Sequence, residues 1–214
     1  MKLKVCCIKS PEEAQMAIAH GADALGLVGP MPSGPGPISP QQAGLIAQSL
    51  PENIMSFYLT SQTSFETISE EYELVRSTHI QLTDHTESSD RARLKQNYPK
   101  VKLVQVVHVI DEDSIQQAID YQENSDYVLL DSGAPNNSIK ELGGTGRTHN
   151  WDISKQIVAQ STLPVFLAGG INAGNVRDAI AHVNPYGIDL CSSLRTEDNL
   201  DADKLDSFIK AIRS

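Results

Sequence analysis

Small residues follow two short apolar runs in the second half of the chain. Gly169-Gly170 comes directly after the run 165–168, and Ser192-Ser193 comes after the run 187–190. A helical pattern begins at Asn172 between them, which predicts a strand–helix–strand unit with the small residues at its strand ends. Glycines let a ligand approach backbone N–H groups, and a helix N-terminus favours negative charge, so we expect a phosphate site here. The alternative is a glycine pair that only makes a tight turn.

A thiol and a carboxylate are the candidate acid–base groups. Cys6 and Cys7 lie near the end of the first apolar run, and Asp131 directly follows the run 128–130. A thiol becomes a base when a nearby positive charge, such as that of Lys4, promotes its ionisation. A carboxylate at the end of a buried strand is costly unless it is paired or used. The alternative for either cysteine is an inert, small apolar side chain.

Several further polar residues offer weaker candidates. Four of them fall at predicted strand ends: Thr83, Asp84, His85 and His108. For the two histidines the alternative is a solvated position, and three other histidines are expected at the surface: His20, His149 and His182. Because the histidines, cysteines and acids lack the tight spacing of a structural zinc site, no metal is predicted.

The elements that must position these residues alternate between strand and helix. A Ser-Pro pair followed by acids, Ser10-Pro11-Glu12-Glu13, predicts the first helix start. About eight strand candidates, each followed by a helix candidate, predict a single (β/α)8 barrel domain over residues 1–214. An open doubly wound sheet is the alternative, but the first strand lacks a G-x-G-x-x-G turn. The predicted strands are 3–8, 22–28, 54–59, 79–82, 101–109, 127–130, 165–168 and 187–190.

Composition limits the partners and the compartment. The formal charge of -10 argues against nucleic acid or an anionic membrane surface as the main partner, because both reward clustered Lys and Arg. No apolar run approaches the length that a bilayer requires. Three cysteines do not make a disulfide framework and favour a reducing interior. The sequence therefore predicts a cytoplasmic location.

Six segments of the chain, in order, carry motifs of one known family. The first is Lys4-Val5-Cys6-Cys7-Ile8, the second is GADALG at 21–26, and the third is IQL at 80–82. The others are LD at 130–131 with GGTG at 143–146 and Trp151, LAGGI at 167–171 with Asn175-Val176, and GIDLCSS at 187–193. Together they resemble motifs of the phosphoribosylanthranilate isomerases of tryptophan biosynthesis, in which the first segment reads K-[IV]-C-G-I and the third VQLHG.

The resemblance implies a reaction and a role for each candidate residue. The reaction is an Amadori rearrangement of the phosphosugar N-(5-phosphoribosyl)anthranilate, without a cofactor, in a monomer or homodimer. The family's base falls on Cys6 and removes a C2′ proton, and its acid falls on Asp131 and protonates the furanose ring oxygen. The substrate phosphate is expected on the amides around Gly144, Gly169, Gly170, Ser192 and Ser193.

This chain also departs from the family pattern. Gly36 stands where the family has the Arg that holds the substrate carboxylate, and Thr83 stands at a His position. We expect Arg195 or Arg147 to supply the missing cation. Two alternatives follow: a related barrel that acts on or binds a different phosphosugar, and a barrel that binds a phosphometabolite or a partner without catalysis. Burial of Cys6 or Asp131 with no path from solvent would favour the last of these.

Overall fold

The strands close into a barrel whose order follows the sequence. The computed structural model describes residues 1–133, 140, 142, 146 and 148–213. In the closed barrel each strand is parallel to the next, and β8 pairs with β1. The predicted fold class is confirmed. The strands are β1 Lys2–Val5, β2 Ala24–Val28, β3 Met55–Thr60, β4 His79–Leu82, β5 Lys102–His108, β6 Tyr127–Asp131, β7 Val165–Leu167 and β8 Gly187–Leu190.

A helix follows each strand, as the alternation of the sequence predicts. Ser10, Ser39 and Ser64 cap three of the helices by accepting a hydrogen bond from a backbone N–H of the first turn. The α7 helix begins four residues later than the pattern suggests, because Asn172–Asn175 form a turn before it. The helices are α1 Pro11–Ala19, α2 Pro40–Ser49, α3 Phe65–Val75, α4 Ser88–Asn97, α5 Asp113–Asp120, α6 Trp151–Gln160, α7 Val176–Val183 and α8 Ala202–Arg213.

A 3₁₀ turn and a small hairpin follow β8, and the sequence did not predict them. The 3₁₀ turn covers Ser192–Leu194, and the strands β9 Arg195–Thr196 and β10 Asn199–Leu200 pair antiparallel after it. Glu13 of α1 accepts hydrogen bonds from the backbone of Leu200 and from the Arg195 side chain. These contacts tie the segment after β8 to the segment after β1.

Alternate residues of each strand face opposite sides of the barrel wall. On β1, Leu3 and Val5 pack in the core between sheet and helices, so Lys4 faces the barrel interior. On β8, Ile188 and Leu190 lie in the same outer core, and Asp189 faces inward. The interior therefore holds these polar residues together with an apolar cluster formed by Cys6, Cys7, Ala24, Val28, Phe57, Leu59, Val104, Val106, Leu129, Phe166 and Ala168.

His79 of β4 makes the stability of this interior depend on pH. Its ring stacks on Phe57 with centroids 4.3 Å apart, and burial lowers the pKa of His79 to about 4. The unfolded chain, with a histidine pKa of about 6.5, binds more protons than the folded chain between these values. The free energy of unfolding therefore falls as pH drops from about 6.5 to 4, by up to about 1.4 kcal/mol per pH unit.

We expect His79→Phe, which keeps a ring against Phe57, to make that dependence less steep. Urea unfolding of the wild type and the variant between pH 4.5 and 7.5 measures the two slopes. Equal slopes would show that His79 titrates normally in the folded protein.

Candidate active site

A pocket opens at the carboxyl ends of the strands. It measures about 670 Å³, counting space open to solvent. Cys6 and Asp131 both line it, so each has a path from solvent. Most of the residues predicted from the sequence come together here: Cys6, Cys7, Asp131, Gly169, Gly170, Ser192 and Ser193.

Cys6 is the first residue after β1 and is only 5% exposed. Its backbone N–H donates to Leu190 O at 2.7 Å, which fixes it to β8. On the β2 side it meets Gly26, where an added Cβ would lie 2.5 Å from the Cys6 Sγ. Burial raises the pKa of the Cys6 thiol to about 11, and the Lys4 ammonium opposes this rise.

Lys4 and Asp189 form a buried ion pair beneath that thiol. They are register partners on β1 and β8, and Lys4 Nζ lies 2.9 Å from Asp189 Oδ2. The other carboxylate oxygen, Asp189 Oδ1, is buried without a hydrogen-bond partner in the described structure, and Asp189 lines the pocket. Lys4 is the aid to thiol ionisation that the sequence suggested, whereas Asp189 is not among the predicted site residues.

The second cysteine cannot be the base, because it is bonded to another cysteine. Cys7 forms a disulfide with Cys191, so Cys6 is the only free thiol of the three cysteines. The cysteine pattern of the sequence does not predict this disulfide. The partners are 184 residues apart, and only the closure of β8 on β1 brings them together.

Cys7 also lies against Gly36, the glycine that stands where the family pattern has an arginine. The φ of Cys7 is 64°, in the left-handed region, which suits the family's glycine better than a cysteine. Gly36 has a φ of 74°, and an added Cβ there would lie 2.7 Å from the Cys7 Cβ. The two departures from the family pattern are thus in contact, and a side chain at 36 would collide with Cys7.

Asp131 ends β6 and is 9% exposed. Its Oδ1 accepts a hydrogen bond of 2.7 Å from the Ser132 backbone N–H. Two neighbouring candidates are engaged elsewhere. Thr83 donates its hydroxyl proton to Thr60 O at 2.9 Å, and Asp84 pairs with Lys140.

Backbone geometry at the ends of β7 and β8 suits an anion. Gly169 and Gly170 both have positive φ, and the side chains of Asn172 and Asn175 donate to Gly170 O at 3.1 and 3.0 Å. The Ser193 Oγ is buried and has no hydrogen-bond partner among the described residues. A polar atom left in this state beside a pocket is available to a ligand oxygen.

Arg195, one of the predicted binding residues, is engaged by another side chain. It does not line the pocket; its guanidinium donates to Glu13 Oε1 at 2.8 Å and Oε2 at 3.0 Å. This placement gives no support to a role in holding the substrate carboxylate. Gly144 and Arg147, the other two predicted residues, lie outside the described residues.

His149, expected at the surface, is largely enclosed. Its Nε2 lies 2.7 Å from Ser154 Oγ, and its Nδ1 is buried 3.0 Å from the point where a Cβ on Gly169 would lie. Burial lowers the pKa of His149 to about 4, so the ring is neutral near pH 7. The surface prediction for His149 is wrong, because the ring lies against Gly169, just after β7.

The described part of the chain contains neither a metal-binding cluster nor a membrane-spanning helix. It contains no group of three or more His, Cys, Asp or Glu side chains placed to hold a metal ion. None of its helices is both long and apolar enough to cross a bilayer.

Fold and site together define a (β/α)8-barrel enzyme with a thiol and a carboxylate at one mouth pocket. The family model described as N-(5'phosphoribosyl)anthranilate (PRA) isomerase matches residues 3–211. The chain belongs to this family, and it is an isomerase of tryptophan biosynthesis.

Individual relatives agree with the family match. The N-(5'-phosphoribosyl)anthranilate isomerase of Bacillus cereus is 33% identical over 207 residues, which cover 97% of this chain and 96% of the relative. The crystal structure of phosphoribosyl anthranilate isomerase from Thermotoga maritima is 27% identical with a TM-score of 0.84, over 100% of this chain and 98% of that one. A further isomerase structure, in complex with reduced 1-(o-carboxyphenylamino)-1-deoxyribulose 5-phosphate, is 25% identical with a TM-score of 0.82, over the same shares.

The contact between Gly26 and Cys6 can be tested directly. We expect Gly26→Ala to displace the thiol and to lower kcat by about 100-fold, since a misplacement of about 1 Å has that cost. Gly44→Ala is the matched control: its Cβ would lie 2.4 Å from Leu74 O, between α2 and α3 and away from the pocket. The control should lose stability but keep kcat per folded molecule. A folded Gly26→Ala protein with full activity would contradict the placement of Cys6.

Proposed function

We propose that Cys6 and Asp131 carry out the Amadori rearrangement of N-(5'-phosphoribosyl)anthranilate as base and acid. The observation that carries the assignment is their position on one pocket, the thiol after β1 and the carboxyl at the end of β6. Cys6 is the only cysteine able to ionise, because the other two are joined. General acid–base catalysis requires groups that reach the same substrate from different sides.

The proposed steps use only these two side chains. Protonated Asp131 donates its proton to the furanose ring oxygen, the bond from C1′ to that oxygen breaks, and the anthranilate nitrogen forms a Schiff base with C1′. The Cys6 thiolate then removes the C2′ proton, and the enolamine that results tautomerises to the ketose product. Substrate and product are isomers, so no atom or electron is supplied from outside.

The phosphate end of the substrate is assigned to the ends of β7 and β8. Gly169 and Gly170 leave the backbone open to a ligand, and Ser193, whose Oγ has no partner among the described residues, lines the same pocket. Ser192, the first residue of the 3₁₀ turn, lines it as well. Gly144, outside the described residues, remains a prediction for this site.

The anthranilate carboxylate of the substrate needs a cation that the described lining of the pocket does not supply. Among the described lining residues there is no Lys or Arg, and Arg195 is held by Glu13. Arg147 therefore remains our candidate for the substrate carboxylate. We also propose that the protein is cytoplasmic. We propose further that it is a monomer or a homodimer.

Substitution of the two reacting groups tests the proposal. We expect Cys6→Ala and Asp131→Asn each to lower kcat by about 10²- to 10⁴-fold, the usual share of a general acid or base. The measurement is the loss of substrate fluorescence with freshly made N-(5'-phosphoribosyl)anthranilate. Asp84→Asn, at the mouth but outside the pocket lining, is the control and should stay within a few fold of the wild type.

Either variant with wild-type turnover would remove that residue from the mechanism. A wild-type protein that is silent in this assay but binds other phosphosugars would favour the alternative of a related barrel with a changed substrate.

The carboxylate assignment has its own test. We expect Arg147→Ala to raise KM by about 10-fold or more with little change in kcat, because a charge-assisted hydrogen bond to a carboxylate is worth about 1.5–3 kcal/mol. Lys140→Ala, which removes a cation already paired with Asp84, is the matched control. An unchanged KM in Arg147→Ala would exclude Arg147 from the site.

A further inference from the structure

The interior of the barrel contains a lysine that the steps above do not use. Lys4 is fully buried, with 0% of its surface exposed. Its ammonium lies 2.9 Å from Asp189 Oδ2 and 5.2 Å from the centroid of the Phe57 ring. Since a charge in such a place is costly to desolvate, an apolar side chain would serve the packing of this layer at lower cost.

Lys4 also lies on the same side of the wall as the thiol. Residues 4 and 6 are two apart on one extended segment and so face the same way. The Lys4 ammonium donates to Asp189 Oδ2, and its charge lowers the pKa of the Cys6 thiol. An ammonium has three donors in tetrahedral directions, so two donors remain that can turn toward the thiolate.

We propose that Lys4 is the positioning residue of the base: it holds the Cys6 side chain toward the pocket and stabilises its thiolate, while the hydrogen bond to Asp189 fixes the position of the ammonium. This inference rests on the proposed function for the use of the thiolate. The electrostatic part does not depend on which substrate the pocket takes.

The other charged groups around the thiol act in known directions. Burial raises the pKa of the Cys6 thiol to about 11, Lys4 lowers it, and Asp189 raises it. Asp131 faces the same pocket and raises the pKa of Asp189. His79, deeper in the barrel, is neutral near pH 7 because burial lowers its pKa to about 4.

The charges of Lys4 and Asp189 therefore have opposite effects on the pKa of the Cys6 thiol. Removal of the Lys4 charge should make Cys6 harder to ionise, whereas removal of the Asp189 charge should make it easier. A purely structural ion pair predicts no such opposition, because loss of either partner would only loosen the same contact.

The experiment measures the ionisation of Cys6 without turnover. The rate of carbamidomethylation by iodoacetamide is followed by intact mass from pH 6 to 9.5 under non-reducing conditions. Because Cys7 and Cys191 are joined, a single adduct reports on Cys6. The variants are Lys4→Met and Asp189→Asn. Lys2→Met is the matched control. It removes a partly exposed lysine of the same strand, β1, that is paired with Asp23.

At a given pH we expect Lys4→Met to react about tenfold more slowly than the wild type, and Asp189→Asn several-fold faster, as expected for shifts of about one pKa unit. Lys2→Met should react at the wild-type rate. If Lys4→Met does not fold, Asp189→Asn decides the question alone. A wild-type rate in folded Lys4→Met, or a rate in Asp189→Asn that is not raised, would overturn the proposal.

Turnover separates this inference from the proposed function. In an active enzyme, the pH profile of kcat/KM for Lys4→Met should move in the alkaline direction together with its alkylation profile. If the wild type alkylates as expected but does not turn over the substrate, the proposed function fails and the role of Lys4 stands. If turnover is normal and the alkylation rates do not move, the role of Lys4 fails alone.

Discussion

The site depends on the buried contact between Lys4 and Asp189. It joins the first strand to the last inside the barrel, in the register that closes the sheet. One layer nearer the mouth, the disulfide of Cys7 with Cys191 joins the segments that follow the same two strands. Between these two links lies Cys6, so the position of the thiol is set by barrel closure and not by a loop. A site of this kind is positioned as precisely as the sheet itself.

Much of the fold and part of the site follow from local pattern. Parallel strands buried on both faces read as short apolar runs, and Ser-Pro pairs mark helix starts, so alternation alone predicts a closed barrel. Because catalytic groups of such barrels sit at the carboxyl ends of strands, the same pattern places Cys6 and Asp131 at one mouth. The glycines at 169–170 and the serines at 192–193 reach the pocket for the same reason.

The rest depends on contacts between distant segments, which a local pattern does not encode. The pairing of Cys7 with Cys191 spans 184 residues and exists only because the barrel closes. Arg195 is close in sequence to the predicted phosphate site, yet the small hairpin after β8 turns it toward Glu13. The enclosure of His149 arises in the same way, from its contact with Gly169 just after β7. Side-chain direction within a loop is decided by its tertiary partners, and these lie far away in sequence.

The assignment of base and acid is tested most directly by a hydrogen isotope effect. Turnover of N-(5'-phosphoribosyl)anthranilate carrying deuterium at C2′ is compared with turnover of the unlabelled substrate in the wild type and in two weakened variants. In Cys6→Ser, removal of the C2′ hydrogen becomes slower, so we expect a primary isotope effect at least as large as in the wild type. In Asp131→Asn, ring opening becomes limiting, and the isotope effect should shrink toward unity. The reverse pattern, a full effect in Asp131→Asn and none in Cys6→Ser, would contradict the assignment of Cys6 as base and Asp131 as acid.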